Sequence, residues 1–427
     1  MNIARLGETI KAAHYYRGIP YARAERFASP RPLGLENLPA DFTATDPAPA
    51  APQHVRPGKK GMRQTAHLSE DCQNLTIVTP AGTAPGENLP VMVFFHGGSY
   101  IYGSGDGQRY DPYLLVIEHR LIVVKVTHRL GYLGFMGGTP SRPANLGLLD
   151  ARQALRWVQR HIADFGGDPD RVTAFGQSAG GDLVARLMVT DGVAEENLFQ
   201  QAIIQSAPLH LIHGKDAMTR HLLTATQGIP QGAPAQTWGE AAHKHVMANP
   251  FRFGLDRAMM PFGCQYGHYP LPAEEDEDAA YRAVAGKFKV LVGSMERESG
   301  YFTPHLTGRA GRAQRAVLDR LICQFSRRLY AQPARHFAQR HQDAGGQALA
   351  YQLATGAVGH PMESVHCTDL ALLFDNPIWE GSSLWAGADR AQQQTQGEAL
   401  RAIWAGFAHT GQYPREHFEA ARLREIP

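Results

Sequence analysis

The sequence predicts an α/β fold, a mostly parallel central sheet flanked by helices, and three observations carry that prediction. Short apolar runs of four to six residues, VMVFF and LIVVKV first among them, read as strands buried on both faces. Stretches at helical spacing separate them, such as Leu148, Leu149, Ala151, Leu155, Trp157, Val158 and Ile162. Turn-forming clusters rich in Gly, Pro and Asp stand between the two kinds of segment.

In chain order, a Pro- and Ala-rich stretch covers Pro47 to Gly61 and a turn-rich loop covers Gly82 to Pro90. VMVFF and LIVVKVTHR follow as strands, then a helix over Leu146 to Phe165 that GGDP stops. RVTAFG is the next buried strand, SAGGDLVARLMV opens a helix, and NLFQQAIIQS repeats the alternation. Residues from about Leu209 to Met260 read as helical with Gly and Pro interruptions, the pattern of insertions over the active-site face of a sheet. KFKVLVGS (Lys287 to Ser294) is again a strand, and Arg312 to Gln342 and Gln394 to His409 read as amphipathic helices. No repeat and no low-complexity linker divides residues 1–427, so a single domain is expected.

Composition narrows the function. Of 427 residues, 43% are hydrophobic and 19% charged, which excludes a disordered or collagen-like chain. Lys plus Arg is 42 against 40 for Asp plus Glu, a net charge of +2. That balance offers no electrostatic basis for nucleic acid or an anionic membrane as the main partner. Cys72, Cys264, Cys323 and Cys367 are too far apart for a zinc site or a disulfide framework, so neither metal nor cofactor is expected. The first residues lack the apolar core of a signal peptide, and no apolar run approaches the ~20 residues of a membrane span. A cytoplasmic, monomeric protein acting on a small molecule is the expectation.

The chemistry centres on Gly176-Gln177-Ser178-Ala179-Gly180, between the strand RVTAF and the following helix. Five residues of this kind recur by chance in Gly-rich chains, but this position makes the pattern specific. A Ser on a sharp strand-to-helix turn needs a strained backbone, and the residues two on either side approach too closely for a side chain. The turn exposes the hydroxyl and aims the helix N-terminus at a developing oxyanion. His96-Gly97-Gly98-Ser99-Tyr100 follows VMVFF, and alone it reads as a tight turn. Paired with the elbow, it reads as a loop that turns backbone N–H groups toward the same oxyanion.

With these two motifs the chain resembles the type-B carboxylesterase family of the α/β-hydrolase fold, which includes cholinesterases and para-nitrobenzyl esterases. Matching blocks run from Gly18 to Pro30, Ser69 to Pro80, Pro90 to Ser104, His128 to Phe135, Asn145 to Gly181, Leu198 to Ser206 and Trp404 to Pro414. The resemblance implies an acyl-enzyme mechanism with Ser178 as nucleophile. It implies an acid in the loop after KVLVGS, where Glu298 keeps the family spacing and Glu296 is the alternative. Met295, Arg297 and Ser299 depart from the family pattern around it. Thirteen of the twenty histidines follow Ser178, so counting selects none. The family pattern selects His366, with Asp369, Leu370 and Phe374 behind it, over its neighbour His360. The implied oxyanion donors are the N–H groups of Gly98, Ser99 and Ala179, with Gly97 serving the turn. Ser206 resembles a family Ser that supports the acid, and reads equally as a strand-terminal Ser. Asp369 is the reserve candidate for the acid.

Departures from the family bear on substrate. Gln177 stands where a Glu is usual, and no Trp lies between Glu25 and Cys72, where cholinesterases carry a cation-binding Trp. Both argue for neutral rather than choline esters. The 68 residues from Glu298 to His366 are few for the family, which implies a trimmed cap, an open pocket and short acyl chains. A catalytically inactive binding module of the same fold and a long-chain lipase are the competing readings. Cys72 lacks an upstream partner and is expected to be a buried free thiol.

Overall fold

The structure, a computed structural model, describes residues 3–53, 67–248, 251–302, 312–358, 360, 362–385 and 388–426. Most of the Pro- and Ala-rich stretch expected before Gly61 therefore lies outside the described residues. Two strands at the N-terminus, β1 (Glu8–Ile10) and β2 (Ala13–Pro20), precede a small two-stranded sheet of β3 (Ala22–Arg23) and β4 (Arg31–Pro32). The main sheet continues with β5 (Asn74–Pro80), β6 (Leu89–Phe95), β7 (Ile122–Val126), β8 (Gly167–Gln177) and β9 (Gln201–Gln205). It is completed by β10 (Lys289–Met295), β11 (Gln347–Leu353) and β12 (Leu423–Glu425). The spatial order of this ten-stranded sheet is β1-β2-β5-β7-β6-β8-β9-β10-β11-β12. From β7 to β11 every pairing is parallel, and the antiparallel pairings fall at the two edges. The predicted mostly parallel sheet is what the chain forms.

The apolar runs are continuous because successive side chains enter two separate cores. Val91, Val93 and Phe95 of β6 join Val124, Val172 and Ala174 on one face. Met92 and Phe94 join Val123, Phe175 and Ile203 on the other. The first face is covered by the helices Leu146–His161 and Ala179–Met188, through Leu148, Leu155, Trp157 and Leu183. The second is covered by Tyr113–His119 and Arg390–Thr410, through Leu115, Val116, Leu400 and Trp404. Each large aliphatic side chain so buried contributes about 1.5–3 kcal/mol relative to exposure. A strand with both faces sealed cannot show alternation, so β6 and β7 read as solid apolar runs.

The edges were harder to read. β2, β11 and β12 contain Tyr, Gln or Arg among apolar residues, and β5 mixes Thr and Asn into a fully buried strand. Over the first face lie the insertion helices Asp216–Thr226, Ala235–Ala248 and Leu255–Met259, as the interrupted helical pattern predicts. The segment from Arg312 forms two helices, Arg312–Ser326 and Gln332–Asp343, joined by a π-helical turn.

A buried ion pair joins two of the matching blocks, His128 to Phe135 and Asn145 to Gly181. Arg129 donates from Nε and Nη2 to the Asp150 carboxylate at 2.8 and 2.7 Å, and its backbone N–H donates to the same Oδ2 at 3.0 Å. With both partners almost wholly buried, losing either would leave an uncompensated charge, so the pair specifies how the block after β7 docks on Leu146–His161. Cys72 is buried and free, as expected, and its thiol is pushed up by burial.

Candidate active site

The register of the sheet brings the two sequence motifs together. Phe95 at the end of β6 pairs with Gly176 near the end of β8, so the residues leaving both strands emerge side by side. Ser178 sits in the turn with φ 59° and ψ −127°, a conformation L-residues disfavour, and the helix Ala179–Met188 starts at the next residue. A Cβ on Gly180 would lie 1.9 Å from the Phe95 carbonyl oxygen, and one on Gly176 would lie 2.4 Å from Gly180 backbone atoms. Only hydrogen fits at either position. Ser178 itself stays half-buried, and its N–H donates to the Gln205 carbonyl at 2.9 Å.

The loop after β6 turns back on itself through three successive positive φ angles, 119° at Gly98, 56° at Ser99 and 59° at Tyr100. A Cβ on Gly97 would lie 3.2 Å from the Ser178 Cβ, so this loop touches the elbow. Among the described residues, the N–H groups of Gly98, Ser99 and Ala179 have no hydrogen-bond acceptor within the protein. N–H groups without an acceptor of their own are what a developing oxyanion requires. His96 is an anchor and not a base. Burial holds its imidazole down to about 3, reinforced by His128, and its Nδ1–H donates to the Gly97 carbonyl at 2.8 Å.

The candidate acid and base come from the C-terminal ends of later strands. Glu298 follows β10, is fully buried, and accepts the Met295 N–H on Oε1 at 2.8 Å. Its Oε2 lies 2.5 Å from His366 Nδ1. His366, only 4% exposed, then directs Nε2 toward the elbow, where it meets the Gln177 amide nitrogen at 3.2 Å. With Nδ1 protonated toward Glu298, Nε2 is an acceptor and the Gln177 amide donates to it. Among the described residues no hydrogen bond joins Nε2 to Ser178, so the Gln177 contact occupies the imidazole in this state. Free active sites commonly show loose catalytic contacts that tighten with substrate.

The other sequence candidates fall elsewhere. Glu296 is partly exposed and pairs with Arg424. His360 accepts the Met362 N–H on Nδ1 and takes no part in the Glu298 pair. Ser206 donates its N–H to the Gly293 carbonyl and accepts from Gln205 on its hydroxyl, while the Glu298 oxygens go to Met295 and His366. Asp369 is buried with Oδ1 unpartnered, and its carboxyl is pushed up to about 7 by burial and then by the Glu298 charge. Sequence reasoning missed the rings around the base. Tyr301, Phe302 and Tyr330 lie with centroids 6.0, 5.5 and 5.6 Å from the His366 ring. Tyr301 and Phe302 follow the acid closely in the chain, whereas nothing in the sequence marks Tyr330. No cluster of three or more His, Cys, Asp or Glu that could hold a metal occurs among the described residues. No helix among them is long and apolar enough to cross a membrane.

Comparison with known proteins identifies the family. The profile of the Carboxylesterase family matches residues 4–317. A probable N-octanoylanthranilate hydrolase of Rhodococcus erythropolis is 33% identical over 93% of this chain and 89% of its own. The para-nitrobenzyl esterase of Bacillus subtilis is 33% identical over 74% of this chain and 66% of its own. A solved structure of a thermophilic para-nitrobenzyl esterase covers 95% of this chain and 89% of its own with a TM-score of 0.74 at 26% identity. The chain is therefore an α/β-hydrolase enzyme of the carboxylesterase family, one that hydrolyses carboxylic esters.

Proposed function

We propose that this carboxylesterase acts on short, neutral esters through an acyl-enzyme on Ser178, with His366 as base and Glu298 as the orienting acid. The observation that carries the reading is the His366 imidazole, bonded through Nδ1 to a fully buried Glu298 with Nε2 facing the elbow. Ser178 Oγ attacks the ester carbonyl carbon as its proton passes to Nε2. The carbonyl oxygen becomes an oxyanion held by the N–H groups of Gly98, Ser99 and Ala179, each shortening its bond as charge develops. Collapse breaks the carbon–oxygen bond to the alcohol, which takes the proton from Nε2. Water then repeats the cycle on the acyl-enzyme and frees the acid and Ser178. Glu298 holds the tautomer and stabilises the imidazolium. The Gln177 amide must leave Nε2 when substrate closes the site.

Neutral substrates follow from Gln177, which supplies no charge to attract an ammonium, and from the missing Trp, whose cation–π contact would be worth ~0.5–2 kcal/mol. A single domain working as a cytoplasmic monomer completes the reading. A second reading has one observation in its favour. The relative matched over 93% of this chain is described as hydrolysing N-octanoylanthranilate, an aryl amide with a medium acyl chain. Turnover of para-nitrophenyl acetate, butyrate and palmitate, butyrylcholine and N-octanoylanthranilate decides between them. The expected order places butyrate or acetate first, and Ser178→Ala loses at least about 10⁴-fold in kcat with an unchanged melting temperature. A maximum at palmitate, or butyrylcholine above a neutral butyrate, overturns the substrate reading. A kcat/KM for N-octanoylanthranilate above that for every ester establishes the second. A Ser178→Ala variant above about a hundredth of wild-type activity removes the nucleophile assignment itself.

A further inference from the structure

We infer that Tyr100 and Asp182 are positioning residues that hold the two halves of the oxyanion site in register; the inference rests on the Ser178 reading above. The candidate donors come from different elements. Gly98 and Ser99 belong to the loop after β6, and Ala179 opens the elbow helix some eighty residues later. Strand pairing sets where both elements emerge but not where the tip of the loop points. That tip is held in left-handed backbone at Ser99 and Tyr100, two residues with side chains, and such a conformation persists only where surrounding contacts over-determine it.

The Tyr100 side chain supplies those contacts. It is 2% exposed, its ring packs on Phe135 at 4.4 Å, and its hydroxyl donates to Asp182 Oδ2 at 2.7 Å. Asp182 lies in the first turn of the elbow helix, fully buried, and its own N–H donates to the Ser178 carbonyl at 3.0 Å. One carboxylate thus ties the residue after Ser99 to the turn that carries Ser178 and Ala179. Its second oxygen accepts from Arg186 Nη2 and Nε at 2.8 and 3.2 Å. Arg186 is fixed in turn by the Leu209 carbonyl, the Tyr266 and Tyr281 hydroxyls and Glu277. A buried charge braced this way cannot drift, so the Tyr100 hydroxyl has a rigid target.

Tyr100→Phe removes one oxygen and keeps the ring. On para-nitrophenyl butyrate, kcat should fall about 10–100-fold, less than the 10²–10³ of losing a donor outright, with KM within about threefold. Affinity for a trifluoromethyl ketone, which forms a tetrahedral oxyanion adduct, should fall by the same factor as kcat/KM. The midpoint of the pH profile should not move, because the imidazole is untouched. Asp182→Asn keeps an oxygen to accept the hydroxyl and should recover most of the activity that Asp182→Ala loses. If Tyr100→Phe does not fold, the same readings on the two Asp182 variants decide. A Tyr100→Phe enzyme within about threefold of wild type in kcat/KM overturns the inference. So does a loss carried by KM alone with ketone affinity unchanged. Ser178→Ala, measured alongside, separates the two claims. If it is inactive while Tyr100→Phe is unimpaired, only the positioning role fails, whereas an active Ser178→Ala removes the site reading beneath it.

Discussion

The stretch between β5 and β9 and the helical stretch that follows Ser206 use glycine in opposite ways. At Gly176, Gly180 and Gly98 an added Cβ would sit between 1.9 and 2.4 Å from backbone atoms folded against it. At Gly228, Gly232, Gly239 and Gly286 it would meet nothing within 4 Å. In the first region backbone approaches backbone, so one residue type is permitted and the motif survives in the sequence. In the second, these glycines of the helices and of the turns between them have room, and many sequences would serve. The acid and base belong to neither extreme. Glu298 leaves a well-marked strand, but its loop is held by side chains. Arg297 pairs with Asp319 at 2.6 Å, and the Ser299 N–H donates to the Ser326 hydroxyl at 3.0 Å.

The sharpest test of that intermediate zone is the pair Glu298→Gln and Glu296→Gln. Glu298 is bonded to His366 and fully buried, so an amide there stabilises the imidazolium poorly and favours the wrong tautomer. The expected loss in kcat is about 10³–10⁴-fold. Glu296 is a surface partner of Arg424, and pairs of that kind are worth about 0–1 kcal/mol of stability and no chemistry. Steady-state kinetics on both variants should separate them by at least a factor of about 100. Equal and mild losses would place the acid elsewhere, with Asp369 next in line.

Legibility followed the same gradient. The buried parallel strands were readable because a sealed strand admits little but Val, Ile, Leu and Phe, whereas β2 and β11 mix polar and aromatic residues and were not read as strands. The elbow and its companion loop were readable from steric need. Glu298 and His366 were reached through family resemblance, since an acid two residues from another acid and one His among thirteen carry no steric signature. The Tyr100–Asp182 link was invisible, because nothing in spacing announces a hydrogen bond across 82 residues.

Asp369 breaks or sharpens the comparison in a different measurement, the pH dependence of stability. Burial, then the Glu298 charge, push its carboxyl up to about 7, with His366 acting in the opposite direction. The ordinary value is about 3.9, so the fold prefers the protonated form. A raised carboxyl contributes stability that is fully present below the unfolded value and lost as pH rises through the folded one. The window is therefore from about pH 4 to about pH 7, and above it the ionised Asp369 is a liability. Asp369→Asn cannot ionise. Its constant cost, an amide beside the unpartnered position, is the same at every pH, so the comparison cancels it. Melting temperatures of both proteins at pH 5 and pH 8 should show the variant gaining relative to wild type at the higher pH. A relative loss at pH 8 would mean that Asp369 is ionised and paired, contrary to its buried, unpartnered oxygen.

The smallest effect expected lies in the open region. Gly239 is inside the helix Ala235–Ala248, has no positive φ, and a Cβ placed on it would touch nothing within 4 Å. Gly239→Ala should therefore gain the helix-propensity difference and the reduced entropy of the unfolded chain, about 0.4–1 kcal/mol in all. For a chain of this size the gain is a rise of a few degrees or less in melting temperature, best read from the urea midpoint at constant slope. Activity should be unchanged, because the helix packs through Trp238, Ala242 and Val246 and none of these touches Ser178, Glu298 or His366. The same substitution at Gly180 would drive a methyl group into the Phe95 carbonyl and displace the loop that carries Gly98 and Ser99. A destabilised Gly239→Ala would mean that this helix is packed as closely as the elbow. The contrast between backbone-limited and tolerant glycine would then be a difference of position only.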